Sequence, residues 1–181
     1  MSDTVRKVQP LRNERQNPNP IEAGTRIGHV HLKVADLDRA LAFYNGVLGF
    51  QLMQRYGRDA AFISAGGYHH HIGLNTWESK GGSPPPPGST GLFHTAILYP
   101  SRKALAAALK RLIDAKWPLD GASDHGVSEA LYLRDPDENG VELYWDRPAS
   151  EWPVTADGEL KMATERLDLR SLLRELEPQP A

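Results

Sequence analysis

The chain has 181 residues, enough for one domain of ordinary size with tails to spare, and its 40% hydrophobic and 24% charged content is that of a soluble globular protein. A net charge of −2 with no Lys/Arg-rich run argues against nucleic-acid binding, and the lack of cysteine excludes disulfides, thiolate metal sites and thiol nucleophiles. No apolar run approaches the roughly 18 residues of a membrane span, and Met1 to Asn19 lacks the apolar core of a secretory signal, so a cytoplasmic location is expected.

Residues 1–24 are polar, carry Pro10, Pro18 and Pro20, and show no periodicity. They read as an N-terminal arm that orders by packing on a partner subunit, which makes a homodimer an expectation. A strand then runs from Ile27 to Val34, with Val30, Leu32 and Val34 on one face and His29, His31 and Lys33 on the other. Asp36 is placed to cap a helix whose apolar positions are Leu37, Ala40, Leu41 and Tyr44, and Gly46 and Gly49 mark its end. Strands are expected at Phe50 to Met53, Ala60 to Ile63 and His69 to Trp77.

Residues 78–90 contain four consecutive prolines, Pro84 to Pro87, and form a stiff linker. The plan then repeats. A strand runs from Leu92 to Leu98, and Ser101 caps a helix with Leu105, Ala108, Leu109 and Leu112 on one face. Strands follow at Glu129 to Leu133 and Val141 to Trp145, joined by the turn Asp135 to Gly140. Residues 149–181 form a tail ending in a short helix with Leu169, Leu172, Leu173 and Leu176 on its apolar side. The expected fold is α+β: paired βαβββ modules (25–77 and 91–147, within a 25–148 domain) forming a curved, cup-shaped mixed sheet around a metal site. Each module would bury its open face against its duplicate.

Approximate two-fold symmetry between the modules brings equivalent positions together, here His29, His71, His94 and Glu142. Three imidazoles and a carboxylate suit Fe(II), Mn(II) or Zn(II). A single strand histidine is most often just a polar residue satisfied by hydrogen bonds. Five of the seven histidines, however, fall at two equivalent strand ends or starts. Glu142, flanked by Val141 and Leu143, would be costly to bury unless paired or coordinated.

The chain resembles the vicinal oxygen chelate superfamily, which includes extradiol dioxygenases, glyoxalases, fosfomycin-modifying transferases and bleomycin-binding proteins. Gly28-His29-Val30, Ala35-Asp36-Leu37, Ala42-Phe43-Tyr44, Leu48-Gly49-Phe50 and Phe93-His94-Thr95 carry the general likeness. His125, Leu131-Tyr132, Asp135-Pro136 and Glu142 follow the order of the extradiol signature, and Trp145-Asp146-Arg147-Pro148 looks like the catechol branch. The resemblance implies a metal triad of His29, His94 and Glu142 holding Fe(II), with Mn(II) or another divalent metal as the alternative. It also implies His71 as an active-site acid-base group, and His125 and Tyr132 as residues that hydrogen-bond the substrate. The implied activity is extradiol cleavage of a small aromatic diol with O2, a step in aromatic compound catabolism. A thiol transferase or isomerase of the same superfamily, or a non-catalytic protein binding an aromatic antibiotic, are the alternatives.

Overall fold

The computed structural model describes residues 8–12, 14 and 16–178; the remainder of the expected N-terminal arm lies outside them. The first module comprises β1 (Val30–Lys33), α1 (Leu37–Leu41), β2 (Gln51–Tyr56), β3 (Ala60–Ser64) and β4 (Ile72–Asn75). The second comprises β5 (Thr95–Leu98), α2 (Arg102–Asp114), β6 (Gly121–Asp124), β7 (Ser128–Arg134) and β8 (Gly140–Asp146). Two further elements, β9 (Glu165–Arg166) and α3 (Leu169–Leu173), close the chain. The architecture is α+β with paired βαβββ modules, as the sequence implies. Each module has its own mixed sheet, ordered β1-β4-β3-β2 and β5-β8-β7-β6-β9. In both, the first strand lies parallel to the last, with the helix as crossover.

Both helices start where the sequence suggests. Asp36 accepts a hydrogen bond from Arg39 N at 2.8 Å, and Ser101 accepts one from Ala104 N at 3.1 Å. These fill donors that the first turn leaves unpaired. After Leu41 the first helix widens into a π-helical stretch, Ala42–Val47, where Leu48 N reaches Phe43 O. Gly49 ends it at φ 89°, and Phe50 N bonds back to Tyr44 O. A Cβ at Gly49 would meet only the mobile tip of Arg111, so it is the positive φ that calls for glycine here.

One core joins the two modules. Leu32, Val34, Ile63, Ile72 and Leu74 meet α1 on one side, and Leu105, Leu109, Leu112, Leu131 and Leu143 pack around α2 on the other. The seam sets the first module's helical segment against the second module's β7–β8 turn and Trp117. Tyr44 donates to Asp135 Oδ2 at 3.0 Å, and Phe43 packs on Trp117 with ring centroids 4.5 Å apart. Ala35 N donates to Asp137 Oδ2 at 3.2 Å, and Arg39 pairs with Asp137. Buried Asp135 also accepts from Asp137 N and Asn139 N, which fixes the β7–β8 turn and hence the start of β8.

Several boundaries differ from expectation. β1 begins at Val30 rather than Ile27, and β4 at Ile72 rather than His69, so His69 to His71 lie in the approach to β4. Strands β6 and β9 have no hydrophobic run to announce them. They exist because β7 offers a paired edge to Gly121–Asp124, and β6 in turn pairs with Glu165 and Arg166. In the tail, α3 lays Leu172 into the core.

Candidate metal and proton-transfer site

Parallel pairing of β5 with β8 sets Thr95 beside Val141 and Ala96 beside Glu142. Val141 and Leu143 turn into the core, and Glu142 turns to the opposite face. His94 immediately precedes β5. Gly140 permits the close approach there, since a Cβ on it would collide with the Phe93 carbonyl and press on His94. The outcome is a contact of 2.9 Å between His94 Nε2 and Glu142 Oε2.

A hydrogen-bonded series continues from that pair. Tyr132 lies opposite Glu142 across β7–β8, and its hydroxyl donates to Glu142 Oε1 at 3.2 Å. His125 Nε2 stands 2.6 Å from the same hydroxyl, while its Nδ1 is 2.8 Å from the Ala163 carbonyl. A carbonyl only accepts, so His125 Nδ1 carries a proton, and Nε2 is the nitrogen that faces the Tyr132 hydroxyl. Burial raises the Tyr132 phenol to about 12, and the charge and hydrogen bond of Glu142 add to the shift. Tyr132 is therefore a neutral donor at ordinary pH.

The same face of β8 carries Tyr144 and Asp146, two and four residues beyond Glu142. Desolvation raises the Asp146 carboxyl above its usual range, with the Glu142 charge adding to it. Tyr144 is raised by burial, then by Asp146 and Glu142. Sequence reasoning passed over both, although their period-two spacing from Glu142 was readable.

His29 and His71 immediately precede β1 and β4 of the first module. His71 Nδ1 lies 2.9 Å from Ser64 Oγ and accepts from Ala65 N at 3.3 Å. An N–H can only donate, so the His71 proton resides on Nε2. His29 is exposed, and its ring packs on His70 with centroids 4.4 Å apart. His70 in turn meets Phe62, and His31 lies between Phe62 and Trp77. Nothing in the sequence singled out His70 over His71 as the neighbour of His29.

The structure thus brings together His94, Glu142, Tyr132 and His125 and leaves His29 and His71 on the other module. Among the described residues, no three or more His, Asp or Glu side chains converge closely enough to hold a metal ion. An imidazole and a carboxylate facing each other suit a divalent cation as two donors, but the third expected donor, His29, does not join them within this one chain.

Residues 26–143 match the model of the Glyoxalase/Bleomycin resistance protein/Dioxygenase superfamily. The chain belongs to that superfamily. It is 42% identical over 156 residues to a catechol-2,3-dioxygenase of Bacillus subtilis (strain 168), covering 86% of this chain and 53% of that protein. The chain therefore spans about half the length of that relative. A probable lactoylglutathione lyase of Vibrio parahaemolyticus serotype O3:K6 is 28% identical over 134 residues, covering 69% of this chain and 94% of that one. Among solved structures, a glyoxylase/bleomycin resistance protein/dioxygenase domain from Frankia sp. EAN1pec superposes with a TM-score of 0.56 at 26% identity, covering 68% of this chain and 98% of that one. No described helix is long and apolar enough to cross a membrane.

Proposed function

We propose that this protein is a metal-dependent extradiol dioxygenase that opens a catechol-like diol with O2, with residues 25–148 as the catalytic unit. The observation that supports this best is the series His94–Glu142–Tyr132–His125, in which one carboxylate touches both a metal-ligand histidine and a proton-transfer pair. In this reading His94 and Glu142 would be two ligands of Fe(II), with Mn(II) as the alternative metal, and His29, which this chain leaves on the other module, would be the third. A divalent metal held there would supply a positive centre that acidifies the diol.

The chain's own residues handle protons and orientation. Tyr132, kept protonated by its surroundings, donates its O–H to a substrate oxygen and stabilises charge that develops there. His125 Nε2 holds the Tyr132 hydroxyl in place and takes up or returns its proton, while Ala163 fixes the ring through Nδ1. His71, with Nδ1 occupied by Ala65 N, delivers a proton from Nε2. Cleavage falls beside the diol, between a hydroxyl-bearing carbon and its unsubstituted neighbour.

The test is reconstitution with Fe(II) under anaerobic conditions, followed by catechol and measured O2 consumption. Oxygen uptake matching diol loss one for one supports the assignment. Metal uptake with no diol turnover, but isomerisation of a glutathione hemithioacetal, would assign the chain to the lyase group instead.

A further inference from the structure

His125 opens the turn between β6 and β7, and that turn carries an electrostatic conflict. Asp124 and Glu129 stand directly opposite each other across the β6–β7 pair, which sets two carboxylates side by side. Glu129 is only 3% exposed, so water does little to screen its charge. Arg147, one residue past β8, lies between the two: its Nη2 is 2.6 Å from Asp124 Oδ2 and 3.0 Å from Glu129 Oε1. The other Glu129 oxygen accepts from Arg102 Nε at 2.8 Å, and Arg102 Nη1 reaches Glu175 in the tail at 2.8 Å. With Oδ2 held by Arg147, Asp124 Oδ1 accepts from Gly126 N at 2.8 Å, and His125 N donates to Ser128 O at 2.8 Å. Arg147 is itself fixed at both ends of its backbone. Its N donates to Val127 O at 2.8 Å, and its carbonyl accepts from Trp152 Nε1 at 2.8 Å.

We propose that Arg147 is a positioning residue: by neutralising Asp124 and Glu129 together it holds the β6–β7 turn closed and keeps the His125 ring between Tyr132 and Ala163. The inference rests on the proton-transfer role given to His125 above. Residues 124 and 126, on either side of His125, are tied to each other through one carboxylate, and that carboxylate is tied to Arg147. Without the guanidinium the two carboxylates repel. Glu129 keeps its bond to Arg102 and stays buried, so Asp124 is the one that swings outward, releasing Gly126 N. The His125 ring then leaves the Ala163 carbonyl that accepts its Nδ1 proton. Among the described residues, the hydrogen bonds of the Arg147 side chain go to Asp124 and Glu129 and to no member of the site, so it acts through the turn.

The experiment reads the His125 tautomer by nitrogen NMR of metal-free, histidine-labelled protein, at a pH where the ring is neutral, with His125→Gln as the assignment reference. Wild type should carry the proton on Nδ1, because the Ala163 carbonyl holds it there. Arg147→Met should return the ring to the Nε2–H form that unconstrained histidine favours, and lower kcat for catechol by about 10²-fold. Since one nitrogen meets both carboxylates, Arg147→Lys keeps the charge in place and should keep both the Nδ1–H form and most of the turnover. Asp124→Ala leaves the Arg147–Glu129 pair intact and should still shift the ring to Nε2–H, which carries the test if Arg147→Met does not fold. A residue that only braced the fold would lower Tm and leave the ring as Nδ1–H. An Nδ1–H ring in folded Arg147→Met or in Asp124→Ala therefore overturns the proposal, as does an Nε2–H ring in wild type. The tautomer is read without metal or diol. Wild type that turns over no catechol would overturn the dioxygenase reading and leave the role of Arg147 to be decided by the ring.

Discussion

His94 Nε2 lies 2.9 Å from Glu142 Oε2: His94, one residue before β5 and level with Gly140, reaches along the sheet to the third residue of β8. Neither side chain belongs to the core, so replacing either should spare the fold. Glu142→Gln and His94→Ala should each lower bound Fe(II) or Mn(II) by more than roughly tenfold while circular dichroism and Tm stay close to wild type. Elemental analysis of the purified variants checks this.

His71→Phe separates acid-base chemistry from metal binding. Metal content should stay near that of the wild type, and catechol turnover should drop by roughly 10²–10⁴-fold, the usual contribution of a positioned proton donor. Loss of metal would make His71 a ligand. Unchanged turnover would remove it from the site.

The Tyr132 phenol offers a spectroscopic check in the metal-free protein. Its pKa of about 12 owes most to burial, with the rest from the charge and hydrogen bond of Glu142. In Glu142→Gln the charge is gone and burial persists, so the pKa should fall while staying above the ordinary tyrosine value. Ultraviolet titration against a Tyr132→Phe reference resolves the one phenol concerned. An unchanged pKa would mean that Glu142 is not ionised beside it.

Tyr44 joins the two modules through Asp135, and its removal should be felt across both. Tyr44→Phe is expected to cost about 1–2 kcal/mol at neutral pH, measured by urea unfolding. Burial, and then the Asp135 charge, raise the Tyr44 pKa well above 10.0. For a group raised on folding, the stabilisation is complete below pH 10.0 and declines as pH climbs towards the folded-state value. Wild type should therefore lose its advantage over Tyr44→Phe in alkali.

The sequence announced those features that depend on local pattern. Alternation in Val30–Lys33, the caps Asp36 and Ser101, and the Asp135 turn are short-range matters, and each appears where expected. The order His125, Tyr132, Glu142 was also legible, and the structure joins all three by hydrogen bonds. What was not legible depends on distant partners. β9 is the pair Glu165–Arg166, a strand only because β6 lies alongside. The run His69 to His71 looks like strand in isolation, but pairing with β1 begins at Ile72, so the chain turns His70 rather than His71 onto His29. Likewise, module symmetry implied that His29 would meet His94. It could not say that the seam of Tyr44, Phe43 and Trp117 would point those two residues' faces away from the joint.

The most direct test of the dioxygenase assignment is the identity of the product formed from catechol under isotopically labelled O2. Mass spectrometry should find a ring-opened hydroxy-acid aldehyde that has gained both labelled oxygen atoms, and Glu142→Gln should form none. A dicarboxylic acid from cleavage between the two hydroxyl-bearing carbons, or intact catechol after incubation with the metal-loaded protein, would contradict it.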